Sequence, residues 1–545
     1  MKTATLCALG LAALAVVAPF SRRGVACGHD LTFHMNSWME VAQQWREGVV
    51  YPRWAVYANY GSGEPRFLFY PPLSWMLGGA LGSFLPWLFV PVAFDGCVVM
   101  LAGLAMHRMA REWFGEPDAS LIAVAYAVNP YMLLNIYVRS AFAEALAACW
   151  LPLLLLWIAR DRPARQMFVP LALTVAGAWL TNVPAAIIAS YVAVLLLVVV
   201  TILRRSSRVF LWGAGAIALG LLLAAFYIVP VLYEKTWITV GQVLSAGVRP
   251  AENFLFARTG EPEHDSFLRA LSWLAVGELA ITGVAMVAAR SWRRSAAKLW
   301  WSLVAMASVS LVLMLPVTSL AYRLMPDLRF VQFPWRWLLA TSVAYAVLVV
   351  TAVPKFRGKS WLYAVLLVAL IAVCSLALQP PCHPEDTPFM IANVYRTGYG
   401  YMGTDEYVPA GGDNYEIKPD FPEYRLRGAD GRAAPVDARV TQFHDSIDRK
   451  QFTVESRQPA EIVLRLMNYP AWRVDVNGKA VAAQSGDPTG RMVIALAAGR
   501  SEVEVRFVRT EDRWIGDGLS VVAVLVLGGF WWNFYHRDTK AQRKS

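Results

Sequence analysis

The chain alternates between long apolar runs and short polar or basic stretches. Apolar runs of about 20 residues recur along most of its 545 residues, and each could cross a bilayer. The first runs from Ala4 to Phe20, the second from Leu88 to Met106 and the last from Trp514 to Trp532. This pattern predicts a polytopic α-helical membrane protein with about twelve transmembrane helices.

One apolar stretch, Pro71–Pro86, is short and is interrupted by Gly78, Gly79 and Gly82, so we interpret it as a helix at the outer interface. With Leu88–Met106 as the second span, the later Lys and Arg clusters all fall on one side, as the positive-inside rule requires. Both termini are then cytoplasmic, which predicts a multi-pass membrane protein. A cleaved signal peptide is the alternative for the first span.

The stretch 379–513 has a different composition from the rest of the chain. It is polar, and apolar and polar residues alternate in it from Gln451 onwards, as in strands with one buried face. Asn477-Gly478 between two such runs predicts a hairpin. We predict a membrane module over 1–378 with outer loop 21–70 and interfacial helix 71–86, an outer β-sandwich over 379–513, and a last helix with a basic tail over 514–545. The β-domain either binds carbohydrate or caps the outer face.

Composition and charge support the membrane class. Hydrophobic residues make up 57% of the chain and charged residues 16%, with a formal net charge of +11. Because the Lys and Arg residues cluster between apolar runs, the charge indicates membrane topology and not nucleic-acid binding. No Walker motif, Rossmann fingerprint or Cys-x-x-Cys motif is present, so ATP-driven work and redox catalysis are unsupported.

The first outer loop carries the leading candidate for chemistry, Asp30, about ten residues beyond the membrane edge. A carboxylate there can take a proton from an acceptor hydroxyl or hold a divalent metal. The alternative is that Asp30 only caps the helix that starts near Leu31. His29 and His34 flank it, but their spacing matches no standard metal site. A divalent metal, Mg or Mn, held by Asp30 therefore stays open.

Charged residues within or beside the spans form a second group of candidates. Arg139 and Glu144 lie at the outer ends of the third and fourth spans, where they either anchor the interface or pair with each other or a substrate. Asp95 and Glu278 lie deeper, where an acid costs roughly 2.5–3.5 kcal/mol to insert. They serve transport or pair with a neighbouring helix.

The outer segment from Arg329 to Trp337 is the second strong signal. It holds Arg329, Gln332, Trp335 and Arg336 where a loop meets the tenth predicted span. Arginine binds phosphate bidentately, and aromatic rings suit the headgroup level, so a lipid phosphate is the expected ligand. An aromatic belt with a snorkelling arginine is the alternative.

Cysteine positions predict one cross-link. Of the six cysteines, only Cys27 and Cys382 fall in outer segments, which face an oxidising compartment if the envelope is bacterial. We predict that they pair and tie the first loop to the outer domain.

Several separated motifs resemble one family. They are GHD-x-x-FH from Gly28, YPRW, FLFYPPLSW, NPY-x-LLNIYVRSAFAEA from Asn129, and QFPWRW. These motifs resemble the bacterial membrane proteins labelled pyruvoyl-tetrahydropterin-synthase-related, a family similar to a branch of the glycosyltransferase-C superfold. The run NYPAWRVDVNGK from Asn468 resembles the outer domain of YfhO-like proteins. The resemblance covers nearly the whole chain, implies a location in a bacterial inner membrane, and does not imply pterin chemistry.

The resemblance implies a fold and a set of roles. It implies an acid in the first outer loop, which matches Asp30, and a surface helix after it, which matches 71–86. It also implies a sugar donor on a polyprenyl phosphate, held by basic residues for which Arg329 and Arg336 are the candidates. Where relatives carry His-Asn-Pro after the fifth span, this chain has the sequence Thr-Asn-Val-Pro over 181–184.

Together these observations predict a membrane glycosyltransferase that moves a sugar from polyprenyl phosphate to a glycan, lipid or protein acceptor outside the cytoplasm. Neither the sugar nor the oligomeric state follows from the sequence. The alternatives are a flippase for a lipid-linked sugar and a non-catalytic scaffold that binds polysaccharide. The predicted roles are catalysis by Asp30 with His29 or His34; phosphate binding by Arg139, Arg329, Gln332 and Arg336; and a sugar or acceptor pocket of Arg53, Glu64, Tyr70, Glu144 and Trp335.

Overall fold

The protein is a polytopic α-helical membrane protein with a β-sandwich near its C-terminus. A computed structural model describes residues 3–353, 368, 371, 382, 386–429, 438–486 and 488–542. The stretch expected to complete the membrane module before residue 379 lies mostly outside these ranges.

The helices of the first third include those of the first outer loop. They are α1 Thr3–Val17, α2 Phe20–Arg23, α3 Leu31–Arg46, α4 Ala58–Gly61, α5 Arg66–Phe69, α6 Pro72–Phe84, α7 Val90–Ala110, α8 Asp118–Ala127, α9 Pro130–Leu134, α10 Phe142–Ala147 and α11 Trp150–Ala159. The helices of the first outer loop are α3 to α5.

The remaining helices are the later helices of the membrane module, one short helix of the outer segment, and the last span. They are α12 Phe168–Trp179, α13 Val183–Arg204, α14 Ser207–Leu223, α15 Ala225–Glu234, α16 Pro262–Ala288, α17 Ala297–Leu313, α18 Ser319–Leu324, α19 Leu338–Ala352, α20 Pro388–Arg396 and α21 Glu511–Gln542.

Among the described residues, eight helical segments are long and apolar enough to cross a membrane, or ten if two bent pairs each count as one span. The bent pairs are α14–α15, which bends by 72°, and α17–α18 with its preceding turn, which bends by 85°. The sequence predicts about twelve spans. The difference comes from α12, which has only 12 residues, and from the largely undescribed stretch before residue 379.

Helix starts follow local chemistry that is readable in the sequence. Asn182 begins α13 because its side chain accepts a hydrogen bond from the Ala185 amide at 3.0 Å, and Pro184 occupies the first turn. Asn129 caps α9 in the same way, accepting from the Met132 amide at 2.9 Å.

The predicted interfacial stretch forms α6, which packs along α3. A side chain at Gly78 would collide with the Trp38 ring at 2.3 Å, and one at Gly79 would meet Val41 at 2.8 Å. Gly78 and Gly79 are therefore what allow α6 to lie against the helix that follows Asp30.

The C-terminal strands form two antiparallel sheets. The strands are β1 Tyr424–Gly428, β2 Ala438–Asp445, β3 Arg449–Ser456, β4 Ala460–Met467, β5 Trp472–Val476, β6 Lys479–Val481, β7 Gln484–Ser485, β8 Arg491–Leu496 and β9 Gly499–Phe507. One sheet has the order β1-β4-β8-β7 and the other β2-β3-β9-β5-β6, and their inner faces share one apolar core. The predicted Asn477-Gly478 turn joins β5 to β6, with φ of 51° and 74° at the two residues.

The β-sandwich packs directly against the first outer loop. Trp54 is buried among the rings of Tyr469, Trp472 and Phe507, at centroid distances of 5.7, 5.7 and 5.8 Å. Residues 386–423, which the sequence assigns to the β-domain, carry α20 and short turns instead of strands. Tyr401 pairs with this loop, since its amide donates to the Tyr57 carbonyl at 3.1 Å.

Candidate active site

Asp30 stands at the start of α3 but does not cap it. Its side chain makes no cap hydrogen bond, although the residue occupies the cap position. Its amide donates to the Arg139 carbonyl at 3.0 Å, which fixes the backbone. The side chain is half-buried, and no group in the described part of the chain donates a hydrogen bond to its carboxylate. Helix capping therefore does not explain the acid at this position.

The backbone before Asp30 lies directly on the turn between the third and fourth spans. The Gly28 amide donates to the Ser140 hydroxyl at 3.0 Å, and that hydroxyl donates to the Ala26 carbonyl at 2.9 Å. A side chain at Gly28 would meet the Arg139 carbonyl carbon at 2.3 Å, so only glycine permits this approach. The adjacent Cys27 forms a disulfide with Cys382, the pair proposed from the sequence.

Two arginines and one glutamate form a buried charge cluster beside this loop. Glu144 Oε2 accepts from Arg139 Nη1 at 2.8 Å and from Arg336 Nε at 3.0 Å. Tyr131 donates to the other carboxylate oxygen, and Asn135 Oδ1 accepts from Arg139 Nη1 at 2.6 Å. All five side chains are buried. Two cations share one carboxylate, which leaves an excess of one positive charge.

The outer segment before α19 orients the two guanidinium groups. Arg139 lies over the Trp335 ring at 4.8 Å and Arg336 over the Phe333 ring at 4.5 Å. These two rings stack on each other with centroids 4.9 Å apart. Gln332 Oε1 accepts from Arg336 Nη1 at 2.9 Å, and Gln332 Nε2 donates to the Val243 carbonyl at 2.9 Å.

The charges of this cluster affect the pKa of Asp30. Burial raises the pKa of its carboxyl group, and the charges of Arg139 and Arg336 oppose that rise. The negative charge of Glu144 raises the pKa further, whereas His29 lowers it. A carboxylate with a raised pKa is a better proton acceptor, which suits a general base.

His34 and Tyr70 lie on the α3 side of Asp30. Burial lowers the pKa of His34 to about 3, helped by the charges of Arg66 and Arg139, so its ring is neutral at pH 7. The ring packs edge-on against Tyr70 and Phe142 at 5.8 and 5.3 Å. Burial raises the pKa of Tyr70, and the charge of Asp30 adds to the rise.

Glu406 is a site residue that sequence reasoning missed. Burial raises the pKa of its carboxyl group to about 7, and the charges of Glu64 and Asp30 add to the rise. The ring of the adjacent Tyr407 packs against those of Phe33 and Phe69 in the first outer loop, at centroid distances of 6.4 and 6.1 Å. It is separated from Asp30 by more than 370 positions, and the only signal in the sequence is an acidic pair in a Gly- and Tyr-rich stretch.

Comparison with known proteins finds only distant structural likeness. No protein family model matches the chain, and no curated protein matches it. The chain aligns with a mutant of the arabinofuranosyltransferase AftD from Mycobacteria at a TM-score of 0.39 and 18% identity, over 70% of this chain and 28% of that one. The AftD structure itself gives a TM-score of 0.38 at 19% identity, over 74% and 27% of the two chains.

The apo oligosaccharyltransferase of Archaeoglobus fulgidus aligns at a TM-score of 0.37 and 15% identity, over 74% of this chain and 57% of that one. The chain thus spans under a third of AftD and little over half of the oligosaccharyltransferase. Because these TM-scores lie below 0.5, no conclusion about fold or function rests on them. The glycosyltransferase-C resemblance therefore still depends on the sequence motifs, and no match identifies the YfhO-like or pterin-synthase-related families.

Three predicted site residues lie elsewhere. Glu64 is fully buried and accepts from Arg66 Nε at 2.7 Å and from the Thr404 amide at 3.0 Å, so it joins the first loop to residues 386–423. Arg53 lines a separate pocket beside α21. Arg329 is exposed and lies over the Phe330 ring at 4.9 Å. His29 is also exposed, with its ring against Phe267.

The donor set does not fit a metal ion. In the described ranges, no three His, Cys, Asp or Glu side chains converge as a metal site would require. Asp30 has two arginines as its neighbours, and cations disfavour a further cation. The site residues are thus suited to proton transfer and anion binding.

Proposed function

We propose that the protein is a membrane glycosyltransferase that moves a sugar from a polyprenyl phosphate to an acceptor outside the cytoplasm, with Asp30 as general base. The observation that carries this proposal is the half-buried Asp30 carboxylate, which receives no hydrogen bond from the described residues and adjoins a cluster with excess positive charge. The sequence motifs supply the donor class.

The reaction needs one base and one anion site. Asp30 takes the proton of the acceptor hydroxyl while the acceptor oxygen attacks the anomeric carbon. The bond between that carbon and the phosphate oxygen breaks, and its electron pair leaves with the polyprenyl phosphate. Attack opposite the leaving group inverts the anomeric centre. Charge therefore develops on the phosphate, where cations stabilise the transition state.

The arginines retain donors for that phosphate. Arg139 uses Nη1, and Arg336 uses Nε and Nη1, in the contacts described above. Among the described residues, Arg139 Nε and Nη2 and Arg336 Nη2 make no hydrogen bond, so they can bind phosphate oxygens. Tyr70 and Trp335 would border the sugar, and Glu144 would orient the two arginines.

Transport of a lipid-linked sugar is the second candidate. Two bent helix pairs and the buried intramembrane acids Asp95 and Glu278 favour it, since transporters use broken helices and buried acids along their path. Glu278 Oε1 accepts from Ser342 at 2.9 Å, whereas its Oε2 has no partner among the described residues.

The test uses the purified full chain in proteoliposomes with a panel of polyprenyl-phosphate hexoses and pentoses. We expect cleavage of one donor with inversion, and we expect Asp30→Asn to slow it by about 10²–10⁴-fold while donor binding is retained. Glu263→Gln, which removes an exposed acid at the start of α16, should leave the rate unchanged. Unchanged transfer by Asp30→Asn, or movement of intact donor across the bilayer without cleavage, would overturn the proposal.

A further inference from the structure

A second candidate ligand site lies where the β-sandwich meets the membrane helices, away from Asp30. It is an open pocket of about 440 Å³ with walls from three distant parts of the chain. Tyr51 and Arg53 come from the first outer loop, Phe226 follows the bend between α14 and α15, and Phe507–Asp517 spans the end of β9 and the start of α21. Three arginines and one aspartate lie among these residues.

Two of the three arginines already have acidic partners. Arg513 is buried and donates to Glu234 through Nε at 2.7 Å and Nη2 at 3.0 Å. Arg509 pairs with Asp517 and lies over the Trp514 ring at 4.1 Å. These pairs fix the pocket wall and leave it little charge of its own.

Arg53 differs from both of them. It is half-buried and lies over the Tyr51 ring at 4.9 Å, and it makes no ion pair or hydrogen bond with any residue that the structure describes. Burial lowers its pKa, as do the charges of Arg513 and Arg509. A guanidinium group that lies over one aromatic ring and has no ion-pair partner is a ready binding site for a phosphate, which accepts two parallel N–H donors.

The surroundings of the pocket point to a lipid as the source of the phosphate. The last candidate span begins at Glu511, so the pocket lies at the end of a membrane helix. Trp514 and Ile515 on the first turns of that helix are 62% and 58% exposed, and Leu232 on α15 is 55% exposed. Exposed apolar residues beside a cationic pocket offer a path for acyl chains, and Trp is favoured at the headgroup level.

We propose that this pocket binds the phosphate headgroup of a membrane lipid through Arg53, with the lipid chains along Trp514 and Ile515. The site is separate from the Asp30 cluster and requires no sugar, so it goes beyond the proposed transfer reaction. Phospholipids and polyprenyl phosphates share this headgroup chemistry.

Native mass spectrometry of the full chain in detergent tests the proposal. The probes are phosphatidylglycerol, undecaprenyl phosphate, inorganic phosphate, and diacylglycerol as a lipid without phosphate. We expect both phosphate lipids to bind the wild type, and Arg53→Gln to weaken the binding of phosphatidylglycerol by about tenfold or more. Undecaprenyl phosphate should lose less, because under the proposed function Arg139 and Arg336 also bind it. Arg53→Lys should lie between the wild type and Arg53→Gln, because lysine keeps the charge but loses the bidentate geometry.

Arg323→Gln is the matched control, since Arg323 is exposed on α18 in another predicted outer loop. It should bind both phosphate lipids like the wild type. Equal weakening by Arg53→Gln and Arg323→Gln, or wild-type binding of diacylglycerol as tight as that of phosphatidylglycerol, would overturn the proposal. Binding of inorganic phosphate as tight as that of the lipids would overturn the lipid assignment.

A labelling experiment on the wild type covers the case in which Arg53→Gln does not fold. Phosphatidylglycerol with a photoreactive diazirine near its headgroup should label peptides that contain Phe226 or Trp514, and labelling elsewhere only would contradict the site. Asp30→Asn should keep the Arg53-dependent binding. Failure of sugar transfer and failure of this site are therefore separate results.

Discussion

Two charge clusters adjoin α3, and they differ in how fully their charged groups are paired. In the first, Glu64 accepts from Arg66 and Thr404, and Glu40 accepts from the Tyr57 amide at 2.6 Å and the Tyr401 hydroxyl at 3.1 Å. In the second, Arg139 and Arg336 share Glu144, and Asp30 beside them receives no hydrogen bond from the described residues.

This difference in pairing distinguishes charged groups that stabilise the fold from a group that is free to react. Burying a charge costs several kcal/mol unless hydrogen bonds and ion pairs repay it, so a satisfied cluster stabilises the fold. A carboxylate left without donors contributes little to stability and keeps its capacity to accept a proton. Both clusters contain arginine, carboxylate and tyrosine, so composition alone does not distinguish them.

The satisfied cluster should show the largest effect on stability. Arg66→Met leaves the buried Glu64 carboxylate without its cation, and we expect a loss of about 3–5 kcal/mol in unfolding free energy. Thermal unfolding of the purified chain measures it. Arg500→Gln, which breaks an exposed pair with Glu502 at 3.1 Å, should cost under about 1 kcal/mol. Similar losses in both variants would contradict the assignment.

Glu406 should make stability depend on pH. Because burial raises its folded pKa to about 7 from an ordinary value of 4.5, the folded state holds a proton that the unfolded state releases between these values. The contribution of Glu406 to the free energy of unfolding is therefore fully present below about pH 4.5. It falls by about 2–3 kcal/mol as the pH rises to about 7. Glu406→Gln should flatten this slope in thermal unfolding between pH 4.5 and 7. Glu416→Gln, at an exposed position, should leave it unchanged.

Gly28→Ala should disturb the loop that carries Asp30. The added methyl group would meet backbone atoms of Arg139 and Ser140 at 2.3 and 2.5 Å, which no side-chain rotation relieves. We expect a loss of about 1–3 kcal/mol in stability and a fall in transfer rate as Asp30 shifts. Gly10→Ala is the control, since nothing lies within 4 Å of its added atom. Full activity in Gly28→Ala would show that the position of Asp30 does not matter.

Asp30→Asn should have the smallest effect on stability. Its carboxylate makes no hydrogen bond with the described residues, so we expect a change under about 1 kcal/mol, together with the loss of transfer described above. A large destabilisation without a specific loss of transfer rate would show that Asp30 stabilises the fold and does not act in the transfer reaction.

The parts of the fold that depend on short-range pattern were predictable. Apolar length predicted most spans, alternation predicted the β-sandwich, and Asn477-Gly478 predicted its hairpin because both residues adopt positive φ. The pairing of Arg139 with Glu144 was one of the alternatives given from the sequence, since the two residues flank one turn between adjacent spans.

Most of the parts that depend on long-range packing were not predictable, and the Cys27–Cys382 disulfide is the exception. Glu406 reaches the site only because residues 386–423 fold back onto the first loop, and nothing in its own neighbourhood indicates this. Glu64 and Arg53 share the first loop with Asp30, yet Glu64 pairs with Arg66 and Thr404, and Arg53 lines the pocket beside α21. Proximity in sequence was therefore misleading within this loop.

The bend between α14 and α15 has a consequence for how the protein is made. The Phe226 amide at the bend donates to the Ser520 hydroxyl at 2.9 Å, across 294 positions of sequence, and a side chain at Gly516 would meet the Ala225 carbonyl oxygen at 2.7 Å. At about 5–20 residues per second, a ribosome needs about 15–60 s to cover that interval. The Phe226 amide therefore lacks this acceptor until the last helix has been synthesised. A chain released before Ser520 never gains it.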